Sequence, residues 1–320
     1  MDPFSRIHPE KDTTYLLIRE ALGRKYRAFF CEHLDLFAQK KVCAHAQEIK
    51  ALRADSKNKS KSQVTLKGAQ DRPLSFFDVV LMRTDPPVDF NYFSATYLLD
   101  QAIGDTCILN DPRSLKLCNE KFYGLAFPDL FPPTLVSRDR LQIEEFVKEQ
   151  GGKAILKPFY GSGGEGIFRL GIEDSNLGVI IEQATQHGRN MAMVQKFLPE
   201  VRIGDKRIIL IEGEPVGAVL RVASSKEHRS NIHVGGQVKK TELSPRDLEI
   251  CEKIKSRLLQ DGLFFVGLDV IGNHLTEINV TSPTGFQEIN RLEKRSKNLR
   301  LESIFFDKLR RRLKSWKANV

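Results

Sequence analysis

The sequence predicts an α/β chain of three modules, and three observations carry that prediction. Residues 1–120 alternate helical and extended patterns in a βαβα rhythm, the pattern of a small parallel sheet flanked by helices. Residues 121–198 set a glycine-rich run between two extended segments. Residues 199–320 lead through paired extended runs to an apolar hairpin at 262–285, GLFFVGLDVIGNHLTEINVTSPTG, and close on an amphipathic helix.

Composition narrows the function classes. With 320 residues, 41% hydrophobic and 28% charged, the chain can build a sizeable core. No apolar run approaches the ~20 residues of a membrane span and no charged-then-apolar leader opens the chain, so neither a membrane role nor export is expected. The five cysteines, Cys31, Cys43, Cys107, Cys118 and Cys251, are odd in number and form no CxxC pair. That argues against a zinc site or a disulfide framework and fits the cytoplasm. The net charge is +9, but eleven Lys/Arg face three Asp/Glu between 291 and 317, so the surplus belongs to the tail and makes no case for nucleic acid.

In the first module Asp12 or Thr13 caps a helix ending near Gly23. Residues 26–30 read as a strand, 50–68 as a polar, basic surface loop or hairpin tip, and 78–82 as a buried strand ending in Arg83-Thr84-Asp85-Pro86-Pro87. A helix at 92–103 and a strand at 107–109 follow, and Asp111-Pro112 opens another helix with proline at its first position. Ligands of such sheets bind at the carboxyl ends of strands, which makes Arg83 a candidate contact.

In the second module the strands are 134–136, 154–158 with Lys157, 167–170 and 191–196; the helices are 138–149 and 177–184. The run Gly161-Ser162-Gly163-Gly164-Glu165-Gly166 is no P-loop, since no Lys-Ser/Thr follows, and no dinucleotide fingerprint, since a strand follows. Strand, glycine loop, strand describes either a plain mobile hairpin or a lid whose backbone N–H groups wrap a triphosphate, with Lys157 in reach. The third module opens at a hinge, 195–199, and continues with strands at 206–211 and 215–222. A mobile loop at 223–236 and a capping-box helix from Ser244 to about Gln260 come next. In the tail Leu301, Ile304, Phe305, Leu309, Leu313 and Trp316 keep helical spacing between basic residues, as in a docking helix with a solvated basic face.

The hairpin carries the chemistry. Asp269 is the one acid in 263–271, and Glu277 and Asn279 alternate onto one face of 275–280. A two-residue turn sets Asp269 opposite Thr276, whereas a three-residue turn at 272–274 sets it opposite Glu277. In the second register three oxygen donors share one face of an apolar hairpin, which points to a hard cation, Mg2+ with phosphates.

Lys121, Lys157, the glycine loop, the hinge at 195–198, Gly204-Asp205-Lys206-Arg207, and Asp269 with Glu277-Ile278-Asn279 occur in the order of the ATP-grasp ligases. Through the opening MDP, Met82-Arg83-Thr84-Asp85-Pro86-Pro87, Cys118-Asn119-Glu120-Lys121, 161–169, 204–207, 265–271 and 276–284 the chain resembles the bacterial glutathione synthetases over nearly its whole length, less so near 40–70 and after about 290. The resemblance implies an ATP-grasp fold in three domains. These are an N-terminal parallel α/β domain over 1–120, a central lid domain over 121–198 with glycine loop 160–166, and a C-terminal antiparallel domain over 199–320 with the metal site, the loop 223–236 and the basic helix. It implies adenine against Gln195 and the main chain of Lys196 and Leu198, ribose on Asp205, and phosphates on Lys121, Lys157, Gly161, Ser162, Gly163 and Gly164. Two Mg2+ or Mn2+ ions fall to Asp269, Glu277 and Asn279, charge stabilisation to Arg207, and peptide contacts to Arg83, Arg221, Arg229, Asn231 and Ser282.

The reaction so implied phosphorylates the cysteinyl carboxylate of γ-glutamylcysteine with ATP and lets the glycine amine displace phosphate, giving glutathione. The two loops would exclude water. A homotetramer is implied as well, and the metal role favours the three-residue turn. Three departures stand out. The family has a short apolar strand ahead of its MDP segment, whereas this chain starts at Met1-Asp2-Pro3, so a central strand of the first sheet is expected to be absent. Ser230 and His233-Val234 replace smaller residues. Two rival readings remain: an ATP-grasp ligase with another donor or acceptor, and a weakly active nucleotide-binding protein that docks a partner through its basic tail.

Overall fold

The computed structural model describes residues 1–55, 61–158, 166–223 and 237–319. Asp12 caps α1 (Thr13–Gly23), its carboxylate accepting from the N–H groups of Thr14 and Tyr15 at 2.6 and 3.3 Å. β1 (Ala28–Phe30), β2 (Leu36–Ala38), β3 (Val42–Ala54), β4 (Ser62–Leu66) and β5 (Gln70–Pro73) then form an antiparallel sheet in which β3 pairs with all four others. β3 buries Val42, Ala44, Ala46, Ile49 and Leu52. Within 50–68, expected to be a surface loop or a hairpin tip, the end of β3 pairs with β4, Ala54 opposite Ser62, as in the second of these readings. A strand buried on one face only needs a polar residue at every second position, and by composition alone it passes for a loop.

β6 (Val79–Leu81), α2 (Phe90–Asp100), β7 (Cys107–Leu109) and α3 (Pro112–Leu117) supply the α/β rhythm. β6 and β7 pair in parallel, Val79 with Cys107 and Leu81 with Leu109. The parallel sheet expected across 1–120 is therefore confined to this pair, and the larger sheet is antiparallel. Asp111 caps α3 with proline at its start, as its sequence foretells.

β8 (Thr134–Ser137), α4 (Arg140–Glu149), β9 (Lys153–Pro158), β10 (Phe168–Gly171), α5 (Leu177–Ala184) and β11 (Ala192–Lys196) make a four-stranded antiparallel sheet, order β10-β9-β11-β8. Its two helices cover one face through Ile143, Val147, Leu177 and Ile181, packed on Leu156, Leu170 and Val194.

β12 (Asp205–Ile211), β13 (Glu214–Val222), β14 (Gln237–Lys240), α6 (Pro245–Gln260), β15 (Phe265–Ile271), β16 (His274–Asn279), α7 (Phe286–Leu292) and α8 (Leu301–Asn319) complete the described chain. The sheet order is β14-β13-β12-β15-β16, all antiparallel. Residues 208–211 of β12 are wholly buried. Ile208 and Leu210 share a core with Ile250, Ile254 and Leu258 of α6, while Ile209 and Ile211 share another with Phe286 and Phe305. A strand covered on both faces needs no polar alternation, and IILI has none. α6 starts on the expected capping box, Ser244 with Asp247. α8 docks Leu301, Phe305, Phe306 and Leu309 and turns its arginines outward. Among the described residues no helix is long and apolar enough to cross a membrane.

One side chain ties the parallel pair to the hairpin. Asn110, just after β7, donates to the carbonyls of Phe265 and Val280 at 2.9 and 2.8 Å and accepts from the Phe265 N–H at 2.8 Å. All four groups are buried. Asn110→Ala strands three main-chain groups without partners, so it should lower stability by about 3 kcal/mol, read as a lower urea midpoint at unchanged slope.

Candidate active site

The turn between β15 and β16 holds two residues, Gly272 and Asn273, with Ile271 paired to His274 and Val270 to Leu275. By that count Asp269 would face Thr276. A β-bulge intervenes: the register slips between Asp269 and Val270, Thr276 becomes the extra residue, and Asp269 pairs with Glu277 and Gly267 with Asn279. The shared face expected of a three-residue turn thus exists, but a two-residue turn and a bulge produce it. The bulge is held by the Thr276 hydroxyl, which donates to the Asp269 carbonyl at 3.0 Å. The Thr276 carbonyl accepts from Lys157 Nζ of β9 at 3.4 Å.

Cross-strand pairing extends the face over four strands. Arg221 on β13 sits opposite Asp205 on β12, and Arg207 on β12 sits opposite Asp269 on β15. Arg207 grips Asp269 with two parallel bonds, Nε to Oδ1 at 2.5 Å and Nη2 to Oδ2 at 2.9 Å. Arg221 Nη2 bridges Asp205 and Asp269, the latter at 2.9 Å. All four side chains are buried. Glycine at 267 makes room for them: a Cβ there would lie 3.2 Å from Arg207 Cδ and 3.3 Å from its Nη1. Lys206, one residue out of phase, faces the other side and pairs with Asp247 of α6.

Burial alone would raise the Asp269 carboxyl, but Arg207 and Arg221 outweigh it and hold the group well below the usual carboxylate range. Glu277 is pushed the other way, by burial first and then by the Asp269 charge, against the pull of Lys157. Burial lowers Lys121 and Lys157, and Glu277 opposes that shift in both. Lys121 Nζ donates to the Pro158 carbonyl at 3.0 Å, so both lysines meet at the end of β9 above the hairpin.

The sequence string around Lys121 holds a residue whose role emerges only in three dimensions. Glu120 Oε1 accepts from the Val280 N–H, the Thr281 N–H and the Thr281 hydroxyl at 3.1, 3.2 and 2.7 Å, and its carbonyl takes the Ile278 N–H at 3.1 Å. It fastens the segment carrying Lys121 to the end of β16. The sequence signal was its place beside Lys121; nothing in the spacing named its partners.

At the hinge Gln195 is buried on Thr134 Oγ1 at 3.2 Å, the Lys196 N–H donates to the Pro133 carbonyl, and the Leu198 carbonyl accepts from the Val201 N–H. Arg83 lies beyond β6, 6% exposed, and Ser282 hydrogen-bonds Asp85. Arg221, a residue the resemblance assigns to the peptide, is buried beside Asp205 and Asp269 and paired with both. Gly161, Ser162, Gly163, Gly164, Arg229 and Asn231 lie outside the described residues.

The donor set suits a hard cation that is completed by a ligand. Among the described residues no group of three His, Cys, Asp or Glu could hold a metal alone. Glu277 makes no ion pair there, although its neighbour Asp269 has two. Two carboxylates and an amide on one face leave further positions to phosphate oxygens and water, as Mg2+ prefers. Four acids, Glu120, Asp205, Asp269 and Glu277, already balance the four bases Lys121, Lys157, Arg207 and Arg221, so a triphosphate would bring uncompensated charge unless cations came with it.

The chain is similar to known proteins over most of its length. Residues 1–116 match the model of the N-terminal domain of prokaryotic glutathione synthetase, and residues 120–294 match that of its ATP-grasp domain. The glutathione synthetase of Synechocystis sp. is 42% identical over 299 residues, 92% of this chain and 93% of that protein. That of Brucella melitensis is 41% identical over 307 residues, 96% of each. Among solved structures, the macrocyclase MdnC of Microcystis aeruginosa, bound with its precursor peptide MdnA, shares the fold at a TM-score of 0.59 with 15% identity over 94% of this chain and 97% of that one. D-cycloserine synthetase DcsG does so at 0.57, also with 15% identity, over 76% and 86%. The chain belongs to the prokaryotic glutathione synthetase family and is an ATP-dependent, divalent-cation-requiring ligase of the ATP-grasp fold.

Proposed function

We propose that the chain joins γ-glutamylcysteine to glycine at the expense of ATP, through a cysteinyl acyl phosphate. The observation that carries the reading is the four-strand face on which Arg207, Asp269, Glu277 and Asn279 stand together beneath Lys121 and Lys157. A site for peptide-bond formation from a free carboxylate must gather phosphate, carboxylate and amine against one set of charges, and this face has that set. Five free thiols accord with work in a reducing cytoplasm.

In this reading Lys121 and Lys157 neutralise phosphate oxygens. Gln195 and the main chain of Lys196 and Leu198 border the adenine, and Asp205 takes the ribose. Asp269, Glu277 and Asn279 would hold two ions, Mg2+ or Mn2+, which when bound screen the charge of the triphosphate. The cysteinyl carboxylate attacks the γ-phosphorus and ADP leaves. The glycine amine then adds to the acyl carbon, and phosphate leaves as the amide forms. Arg207 stabilises the negative charge that develops on the phosphoryl oxygens and on the tetrahedral oxygen. Its two-point grip on Asp269 keeps the guanidinium plane fixed while one edge serves the reaction.

The direct test is ADP release with Mg2+, γ-glutamylcysteine and glycine, set against omission of each and against other amines. Release that needs both substrates is expected; release with a different acceptor only would replace the reading. Glu277→Gln should abolish turnover without lowering the melting temperature of the metal-free protein, because it removes a charge that Asp269 repels. Substantial activity in that variant would refute the metal assignment. Arg207→Lys keeps the charge but loses the fork that pairs with Asp269. We expect kcat to fall by about 100-fold with the ATP KM little changed, measured in the same assay.

A further inference from the structure

β16 is the outer strand of its sheet, so one edge of the strand that carries Glu277 and Asn279 has no strand beside it. The chain that leads into the central sheet takes that place. The Leu275 N–H donates to the Leu130 carbonyl at 2.9 Å, and the Ile278 N–H to the Glu120 carbonyl at 3.1 Å. Just past Asn279 the chain leaves the sheet, and the N–H groups of Val280 and Thr281 have no ladder to join. Both donate to Oε1 of Glu120, as does the Thr281 hydroxyl, at 3.1, 3.2 and 2.7 Å. One residue thus takes four donors spread over residues 278–281.

Leu130 shows that a carbonyl is enough to close a strand edge. Glu120 does more, because bonds to a carboxylate are stronger than bonds to a carbonyl, and three of them fix one oxygen in space. What they fix stands on either side. Lys121 follows directly, its N–H on Asn119 Oδ1 at 3.1 Å and its ammonium on the Pro158 carbonyl at 3.0 Å. Asn279 comes directly before the clamped N–H groups. Ser282 comes directly after them, ahead of the Pro283 and Thr284 carbonyls that Arg83 and Arg207 hold. Glu120 also lies close enough to act electrostatically on both Lys121 and Glu277.

We infer that Glu120 is a positioning residue for phosphoryl transfer: its carboxylate holds the lysine that meets the phosphates at a set distance from the strand that meets the cations. The inference rests on the roles proposed above for Lys121, Glu277 and Asn279, and deepens them. In that reading the lysine and the cations bind oxygens of one triphosphate, so an error in their spacing is an error in the geometry of attack. A misplacement of about 1 Å can cost about 100-fold in rate. Oε1 of Glu120 is taken up by its three donors, so the residue acts through Lys121 and the strand rather than on the substrate. Its reach then matters more than its charge.

Two variants separate reach from charge. Glu120→Gln keeps the length and an oxygen acceptor, whereas Glu120→Asp keeps the charge and draws it back by one methylene. In ADP release with saturating γ-glutamylcysteine and glycine, kcat/KM for ATP should stay within about fivefold in Glu120→Gln and fall at least about 30-fold in Glu120→Asp. Unless Glu120→Gln exceeds Glu120→Asp by about fivefold or more, the inference is overturned. Binding separates positioning from a general structural part. The dissociation constant of AMPPNP, a non-hydrolysable ATP analogue, with Mg2+ should rise about tenfold in Glu120→Asp. On a Lys121→Ala background the same substitution should cost less than about threefold, because no lysine is left to misplace. Losses that multiply would make Glu120 merely structural and overturn the inference. Should Glu120→Asp fold poorly, Thr281→Val, which removes one of the three donors, takes its place in the cycle under the same criterion. The cycle needs no turnover. If the unaltered protein binds AMPPNP with Mg2+ but releases no ADP with the two substrates, the ligation fails, while the cycle still decides for or against Glu120.

Discussion

The carboxylate of Asp269, buried between two guanidiniums, is the constraint around which the C-terminal sheet is arranged. A lone carboxylate at that depth could not stay ionised. Arg207 reaches it from β12 and Arg221 from β13, and Asp205 in turn anchors Arg221. That chain of charges demands that β13, β12 and β15 keep one register, because a slip of one residue would put every member on the wrong face. It also favours glycine at 267, where a Cβ would lie 3.2 Å from Arg207 Cδ and crowd its side chain. Such a network adds little net stability over an apolar core. Its value is orientation: it fixes a guanidinium and a carboxylate side by side at the proposed site.

The fourth strand joins the network differently. β16 brings Glu277 and Asn279 to the face only because Thr276 is bulged out. The same bulge turns the Thr276 carbonyl toward Lys157 of the central sheet. Glu120 makes a second connection, binding two N–H groups and a hydroxyl just past β16 while its neighbour Lys121 points to the end of β9. The lysines that would meet phosphate and the acids that would meet metal are thereby referenced to one strand. Coupling between the two sheets passes through these few polar bonds, whereas each sheet keeps an apolar core of its own.

What the residues disclosed, and what they hid, follows from the range of each interaction. Caps, the apolar tail helix and the two-sided strand at 208–211 depend on neighbours within a turn or two, and each is where its sequence pattern puts it. The facing of Asp269 and Glu277 was legible as a chemical requirement, since two acids in so apolar a hairpin need a reason. Its mechanism was not, because a bulge is a choice between strand pairings that differ by one residue and leaves no composition mark. At 50–68 the hairpin of β3 and β4 was legible only as one of two alternatives, because one-faced burial imitates a polar loop. The ion pairs of Arg221 were not legible, because an arginine next to a loop carries no sign of the acids it will meet across two strands.

The two acids of the hairpin are set apart by the same layout. Asp269 lies between two guanidiniums and is held ionised, whereas Glu277, facing it across the bulge, is pushed up by burial and by the Asp269 charge. A cation between them would favour the ionised form of Glu277 most, because that group makes no ion pair among the described residues. Arg207 can donate but not accept a hydrogen bond, so beside this pair it suits oxygens that gain negative charge. The division of roles within the proposed site thus follows from which acid the arginines reach: the one they hold keeps the guanidinium in place, and the one they leave is the acid that most needs a metal.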